Sequence, residues 1–591
     1  MLNLPARPLW HANVSLGMVG LMWVLPFLHY VHQYPLTTFY QEWWSALLGV
    51  LALGLLSARD FWINPETPRI AQLPAVLIAV VLLQWGFGKV AYFDQALLFV
   101  LYLLFAALLM LLGARLRDIF GMAKLAQVLA IFLLVGAELS ALIGVIQHYQ
   151  WHSLLDWVIV IKVSPGVYGN LAQTNHFANY IALGLISLGL LYQQQRLKSG
   201  YVLLLAVPLL FVMTLSGSRS TWLYVLLMSG MSWWWARRDT TQRSLLRYSL
   251  LVIAGFGIMH LIVQLPFMAG ATGSVNTVER LFGAESSNIR LYVWRESMMM
   301  FMQSPFIGVG FGQFAWHHFQ MLPELRQGNI VGLYNNAHNL IFQMASEAGA
   351  AGLLALFGSL GVWIYGLRRA TLDSAHWWGY AILGVLAIHS LLEYPLWYTY
   401  FVAVAAILLG ALDETRYRLE LRHVGRISIV AIQLLGLTVL TQLYVNYREL
   451  ERVLAIRATS SADVSASLRY RDGLVSVHSG SLLAPYAELS MTGLIEISDE
   501  HRKEKLALNT RVMHFVPIAS VVYRQAMLLA KDDQMERAKV ILEQAIWSYP
   551  EEFVRAQQQM LALAQKDPAH FSALLEFGLE KAQEYYRAVH Q

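Results

Sequence analysis

Short runs of this chain hold the residue types that chemistry needs. GNLAQTNHFAN carries Gln173, Asn175, His176 and Asn179, and SGSRS carries Ser216, Ser218, Arg219 and Ser220. NIRLYVWRESMMMF carries Arg290 and Arg295, NNAHN carries Asn335, Asn336, His338 and Asn339, and HSLLEYPLWY carries His389, Glu393, Tyr394 and Tyr398. A guanidinium is a planar fork of donors that suits phosphate oxygens. A neutral imidazole can take a proton from a hydroxyl. Arg219 and Arg290 therefore read as phosphate-binding cations and His338 as a base. Arg290 and Arg295 stand at i and i+5, so they do not share a helix face well, and Arg290 is the better candidate. Each residue also has a plainer reading. Arg219 can snorkel to an interface, and His338 can be a structural hydrogen-bonder. Glu393 can orient a cation or cap packing, and Tyr394 and Tyr398 can belong to an aromatic belt.

What must position them is a membrane protein. Of 591 residues, 57% are hydrophobic and only 13% charged, against about 25% charged in an ordinary soluble domain. Apolar runs near the length that crosses a bilayer recur at 13–31, 43–58, 70–87, 95–113, 124–146, 176–193, 200–216, 220–236, 247–267, 338–366, 376–392, 397–412 and 427–445. This predicts an all-α polytopic protein of about thirteen transmembrane helices, because helices are the spanning form such runs support. Arg7 precedes the first run with no small-residue cleavage site after it, so a retained span is expected rather than a signal peptide.

The charges set the orientation. With the N-terminus in the cytoplasm, one set of loops carries Arg59 and Arg69; Arg115, Arg117 and Lys124; Arg196 and Lys198; Arg237, Arg238, Arg243 and Arg247; Arg368 and Arg369; and Arg416, Arg418, Arg422 and Arg426. The opposite short loops carry only Lys89, Lys162 and Arg219. This is a strong positive-inside bias. All the chemistry-bearing runs then fall on the outer face, with His29, His32 and Glu42 of the first outer loop and Arg280 of the long one. Ionisable groups at such positions are costly and generally face a cavity. The +5 net charge follows from the loop arginines and does not point to nucleic acid.

Two regions leave the membrane pattern. The expected division is a transmembrane catalytic domain, 1–445, with a large outer loop at 268–337, and an outer helical tail, 446–591. Within the tail, the 34 residues from Pro517 to Pro550 resemble one tetratricopeptide unit, with Ala526, Ala538, Ala545 and Tyr549 in place. One unit cannot bury its own face, so neighbouring helices must complete it. The chain has no cysteine, so disulfides and thiolate metal sites are excluded. It has no GxxxxGK[ST] run, and GVGFGQF does not follow a strand in a nucleotide-binding unit, so it reads as a bend. No paired Asp motif lies in an outer loop, which gives a metal-dependent mechanism little support.

GNLAQTNHFANY, the SGSR turn, SPFIGVGFGQF, NNAHNLIFQMASEAGAAGLL and HSLLEYPLWYTYF together resemble the PglL-type bacterial protein O-oligosaccharyltransferases. These share a superfamily with the O-antigen ligase WaaL and the polymerase Wzy. HYVHQYPLTTFYQEWWSALLG and the tail resemble the same family. The segment from His338 to Gly349 is common to the superfamily, whereas GNLAQTNHFAN and the tail favour the PglL type. The resemblance implies a GT-C-like membrane fold in the bacterial inner membrane and a metal-independent, cofactor-free inverting transfer. The implied donor is a glycan on undecaprenyl pyrophosphate, and the implied acceptor is a Ser or Thr hydroxyl of a periplasmic protein such as a pilin. It also implies His338 as catalytic base, Arg219 and Arg290 as pyrophosphate ligands, and Gln173 and Tyr398 as required positions. Asn175, His176, Glu393 and Tyr394 are expected to support them. An O-antigen ligase or polymerase is the alternative. A lipid-glycan transporter is disfavoured because the span centres are nearly free of charge.

Overall fold

The computed structural model describes residues 10–63, 65–151, 153–268, 270, 285–326, 332–418, 422–459 and 464–589. Arg280 lies outside them. Among the described residues the chain is all-α apart from one small antiparallel sheet, Glu66–Pro68 with Arg416–Arg418. A helix occupies every expected span. Among the described residues, seven helices are long and apolar enough to cross a membrane, the longest being Phe93–Tyr149. That helix covers two expected spans. Its break is at Gly121, whose φ of 72° lies where glycine pays no Cβ penalty. The helices over 200–216 and 397–412 are shorter apolar ones, Ser199–Leu215 and Thr399–Ala411. The protein is therefore a multi-pass, helical membrane protein.

The chain forms two compact units. The first comprises residues 1–75, 102–283 and 355–440. Thr174–Gln193 is its central helix, buried without interruption from His176 to Leu191. Small residues let its helices approach closely, as packing between membrane helices requires. A Cβ on Gly113 would overlap the Ile407 carbonyl, and one on Gly410 would overlap that of Met110.

The second unit comprises residues 76–101, 284–354 and 441–591. Its helix Phe314–Leu325 packs into the tail. Trp316 and Phe319 share a core with Val521, Ala526, Ala538, Leu542 and Ala545, and Trp316 stacks on His514 at 4.3 Å. Two tail helices, Ala519–Lys531 and Met535–Ser548, are held at their open end by Tyr549, whose hydroxyl donates to Pro517 O at 3.0 Å. Burial, with Lys89 and His514 nearby, pushes the His317 imidazole down to about 4, and burial lowers His514 as well. An unfolded histidine takes up its proton near 6.5. Between those values the opened state binds protons that the folded state excludes, so stability falls as pH falls. Amide exchange in 314–325 and 502–531, corrected for intrinsic rates, is expected to be faster at pH 5 than at pH 7. Equal corrected rates would refute this.

The glycine-rich run wraps a break in the helix Leu340–Gly366. Val309 N donates to Ser346 O at 2.9 Å, and Ala350 N and Ala351 N donate to Pro305 O and Phe306 O. Gly308 and Gly349 have φ of 72° and 63°, and a Cβ on Gly308 would overlap the Glu347 carbonyl. Gln84 completes the wrap by donating to Ile307 O and Glu347 O and accepting from Phe311 N. The run is thus the bend its composition suggests. Gly308→Ala meets both a left-handed backbone and an overlap, and is expected to destabilise by about 2 kcal/mol or more. A fall in the apparent melting temperature measures it. An unchanged value would contradict the overlap.

Candidate functional site

In the first unit, the Arg219 turn is built from its own hydroxyls. Gly217 has φ of 66°. The Ser216 hydroxyl accepts from Ser218 N at 3.2 Å, and the Thr221 hydroxyl donates to Ser218 O at 2.7 Å. Arg219 is half-buried and N-caps Ser220–Arg238, where the positive end of a helix dipole already favours an anion. The turn is tied to two distant segments through Asn175. Asn175 Oδ1 accepts from the Ser218 hydroxyl at 2.8 Å, and Asn175 Nδ2 donates to Glu393 Oε1 at 2.7 Å. Ser218 also meets the Ser220 hydroxyl at 2.8 Å. Glu393 is buried, and its carboxylate takes the Asn175 amide.

Gln173 is the N-cap of Thr174–Gln193. Its Oε1 accepts from His176 N at 2.5 Å, which orients the run entering the central helix. His176 is buried, with its ring edge-on to Tyr398 at 4.9 Å, His389 at 5.4 Å and Phe401 at 5.1 Å. Tyr398 stacks on Tyr394 at 5.9 Å. The first unit therefore gathers Gln173, Asn175, His176, Arg219, Glu393, Tyr394 and Tyr398. It adds Tyr224, which sequence reasoning left out: its hydroxyl bonds Nδ1 of His389 at 2.9 Å. Those two residues are 165 apart in the chain, and nothing in either segment signals the other.

His338 and Arg290 belong to the second unit. His338 has φ of 50°, a left-handed conformation that a non-glycine residue adopts only when its surroundings enforce it. The enforcement is visible. His338 N donates to Asn336 Oδ1 at 2.8 Å, and Ala337 N to Gln343 Oε1 at 2.7 Å. Asn339 Oδ1 accepts from Ile341 N at 2.9 Å and so caps the helix that follows. Trp294 Nε1 donates to Ala337 O at 3.0 Å, and its ring stacks on Phe342 at 5.0 Å. Arg290 lies one turn before Trp294 on Glu285–Gln303, at i and i+4, so it shares the face that reaches the His338 loop. Arg295 is exposed on another face. The i and i+5 spacing puts the two arginines on different faces, and the i+4 relation of Arg290 to Trp294 is legible in the sequence.

The same loop is braced from behind. The buried pair His318 Nδ1 and Glu296 Oε2, 2.5 Å apart, ties the two loop helices together. Tyr334 packs with Leu322 and Trp547, and Gly332 N donates to Ser548 O at 3.1 Å. The tail thus buttresses the approach to His338, a role that its own sequence did not reveal.

The fold defines a multi-pass membrane protein, with Arg219 in a hydrogen-bonded turn of the first unit and His338 in a hydrogen-bonded loop of the second. Residues 167–192 match the family described as protein glycosylation ligase, 202–357 that described as O-antigen ligase, and 377–563 that described as virulence factor membrane-bound polymerase, C-terminal. The chain is 28% identical over 436 residues to the general O-oligosaccharyltransferase of Acinetobacter baylyi, covering 71% of this chain and 73% of that protein. It is 23% identical over 376 residues to the ComP-specific O-oligosaccharyltransferase of the same organism, covering 63% and 66%. The chain is homologous to these oligosaccharyltransferases and carries the protein glycosylation ligase and O-antigen ligase segments, as its motifs implied.

Proposed function

We propose that this protein transfers an oligosaccharide en bloc from undecaprenyl pyrophosphate to Ser or Thr hydroxyls of periplasmic proteins such as pilins. His338 takes the acceptor's proton as its oxygen attacks the anomeric carbon. The bond to the pyrophosphate breaks with inversion, and Arg219 and Arg290 balance the charge on the leaving group. Once that charge is balanced, the remaining demand is positioning, and no metal is needed. The observation that carries the reading is the enforced left-handed backbone at His338, four bonds deep in its own framework, on a chain whose relatives are oligosaccharyltransferases. Gln173, Asn175, His176, Glu393, Tyr394 and Tyr398 position the donor-binding turn and its surroundings.

In this reading all thirteen apolar spans cross the inner membrane. The N-terminus is cytoplasmic, and the outer loop and tail are periplasmic. Residues 1–445 form the catalytic domain. The pair of tail helices between Pro517 and Pro550 is a tetratricopeptide-like unit in the domain 446–591. The test compares cells carrying wild type or His338→Ala at matched expression. Mass spectrometry should find glycan masses on Ser or Thr of periplasmic proteins with wild type alone. The O-antigen ligase segment supports a second reading, transfer to a lipid or glycan acceptor. A change in lipopolysaccharide with no glycoprotein in either strain would favour it.

A further inference from the structure

Lys89, Lys162 and Arg219 are the cations that stand in the short loops assigned to the outer face. Lys89 donates to the Ser304 hydroxyl at 2.9 Å. Lys162 is different: it is 4% exposed, and its Nζ has no hydrogen-bond partner among the described residues. Burial also lowers its pKa from the usual lysine range. An uncompensated buried ammonium is costly, and a long, flexible side chain would ordinarily escape to water.

Here the backbone prevents escape. The Tyr168 hydroxyl accepts from Val163 N at 2.7 Å and donates to Ile161 O at 3.0 Å, so one hydroxyl pins the chain on both sides of Lys162. Gln147 Nε2 donates to Val160 O at 2.7 Å, and Asn170 Oδ1 accepts from Val160 N at 3.1 Å. Asn170 Nδ2 in turn donates to Leu28 O and Val158 O. Ile161 and Val163 are exposed, which leaves Lys162 as the inward residue of an alternating segment. His148 is engaged elsewhere, its Nε2 bonded to Met268 O at 3.0 Å and its ring covered by Gly270. Four residues on, Gly166 packs against Ser216 O and Thr174, and Val167 N donates to Leu215 O at 3.0 Å. The loop is therefore seated on the segments that carry the Arg219 turn and the Gln173 cap.

We propose that Lys162 seats a lipid phosphate at the outer end of the first unit. The phosphate is that of the pyrophosphate-linked donor, which rests on the transferase reading, or of a neighbouring anionic phospholipid. A phosphate oxygen that reaches the ammonium as the loop opens forms a charge-assisted hydrogen bond that burial otherwise denies it.

The test titrates the full-length protein in detergent with undecaprenyl pyrophosphate carrying no glycan, and separately with phosphatidylglycerol, by native mass spectrometry. Lys162→Met is expected to weaken one of the two by about tenfold, and Lys162→Arg to restore most of it. Weakening of the pyrophosphate lipid assigns the site to the donor, and weakening of phosphatidylglycerol alone assigns it to a phospholipid. Without lipid, Lys162→Met should raise the apparent melting temperature, because the uncompensated charge is gone. The proposal is overturned if both lipids bind the Met variant as they bind wild type, or if its lipid-free melting temperature falls. Binding is read without turnover, so a wild type that binds the pyrophosphate lipid yet glycosylates no protein would sink the transferase reading alone.

Discussion

Replacing His338 with asparagine is expected to slow glycan transfer by about 10²–10⁴-fold, the range a positioned general base contributes. Asparagine is the informative choice because it tolerates the left-handed backbone better than most residues, including the alanine used for the cell test. The bonds from His338 N to Asn336 and from Ala337 N to Gln343 are made by the main chain at 338 and 337, so they survive the substitution. The apparent melting temperature should therefore stay near that of wild type. Initial rates with purified enzyme, lipid-linked oligosaccharide and an acceptor protein measure the effect. A His338→Asn enzyme that keeps more than about a tenth of the wild-type rate would remove His338 from the chemistry.

Arg219→Lys carries the second large effect, a loss of about 10²–10³-fold, comparable to deleting one donor from a preorganised anion site. Lysine keeps the charge but not the planar fork. The turn itself should survive, because its bonds run through Ser216, Ser218 and Thr221. The loss should appear mainly in kcat at saturating donor, since the charge balanced is the one that develops on the leaving pyrophosphate. A Lys variant with wild-type kcat and only a raised donor KM would make Arg219 a ground-state anchor.

The apolar runs were legible because lipid leaves the chain one solution, a hydrogen-bonded helix of sufficient length. The join across Gly121 was not. The charged stretch from Arg115 to Lys124 reads as a loop, whereas the helix continues on both sides of a single left-handed glycine. Local bonds were readable in principle: Gln173 caps a helix three residues ahead, and Arg290 stands one turn from Trp294. Bonds over long separations were not. Asn175 to Glu393 spans 218 residues, and Tyr224 to His389 spans 165. The residue types announced that polar partners were needed, but pairing is a property of packing, which one sequence does not display. The same holds for the tail. Its amphipathic helices predicted a core, but not that Trp316 and Phe319 of the helix Phe314–Leu325 would complete it.

The most direct measurement of the central claim is the intact mass of an acceptor protein after incubation with purified enzyme and lipid-linked oligosaccharide. A parallel reaction offers a lipopolysaccharide core instead. The account predicts that the protein gains one oligosaccharide mass with wild type and none with His338→Asn. A protein of unchanged mass, beside a core or glycan chain that has grown, would contradict it.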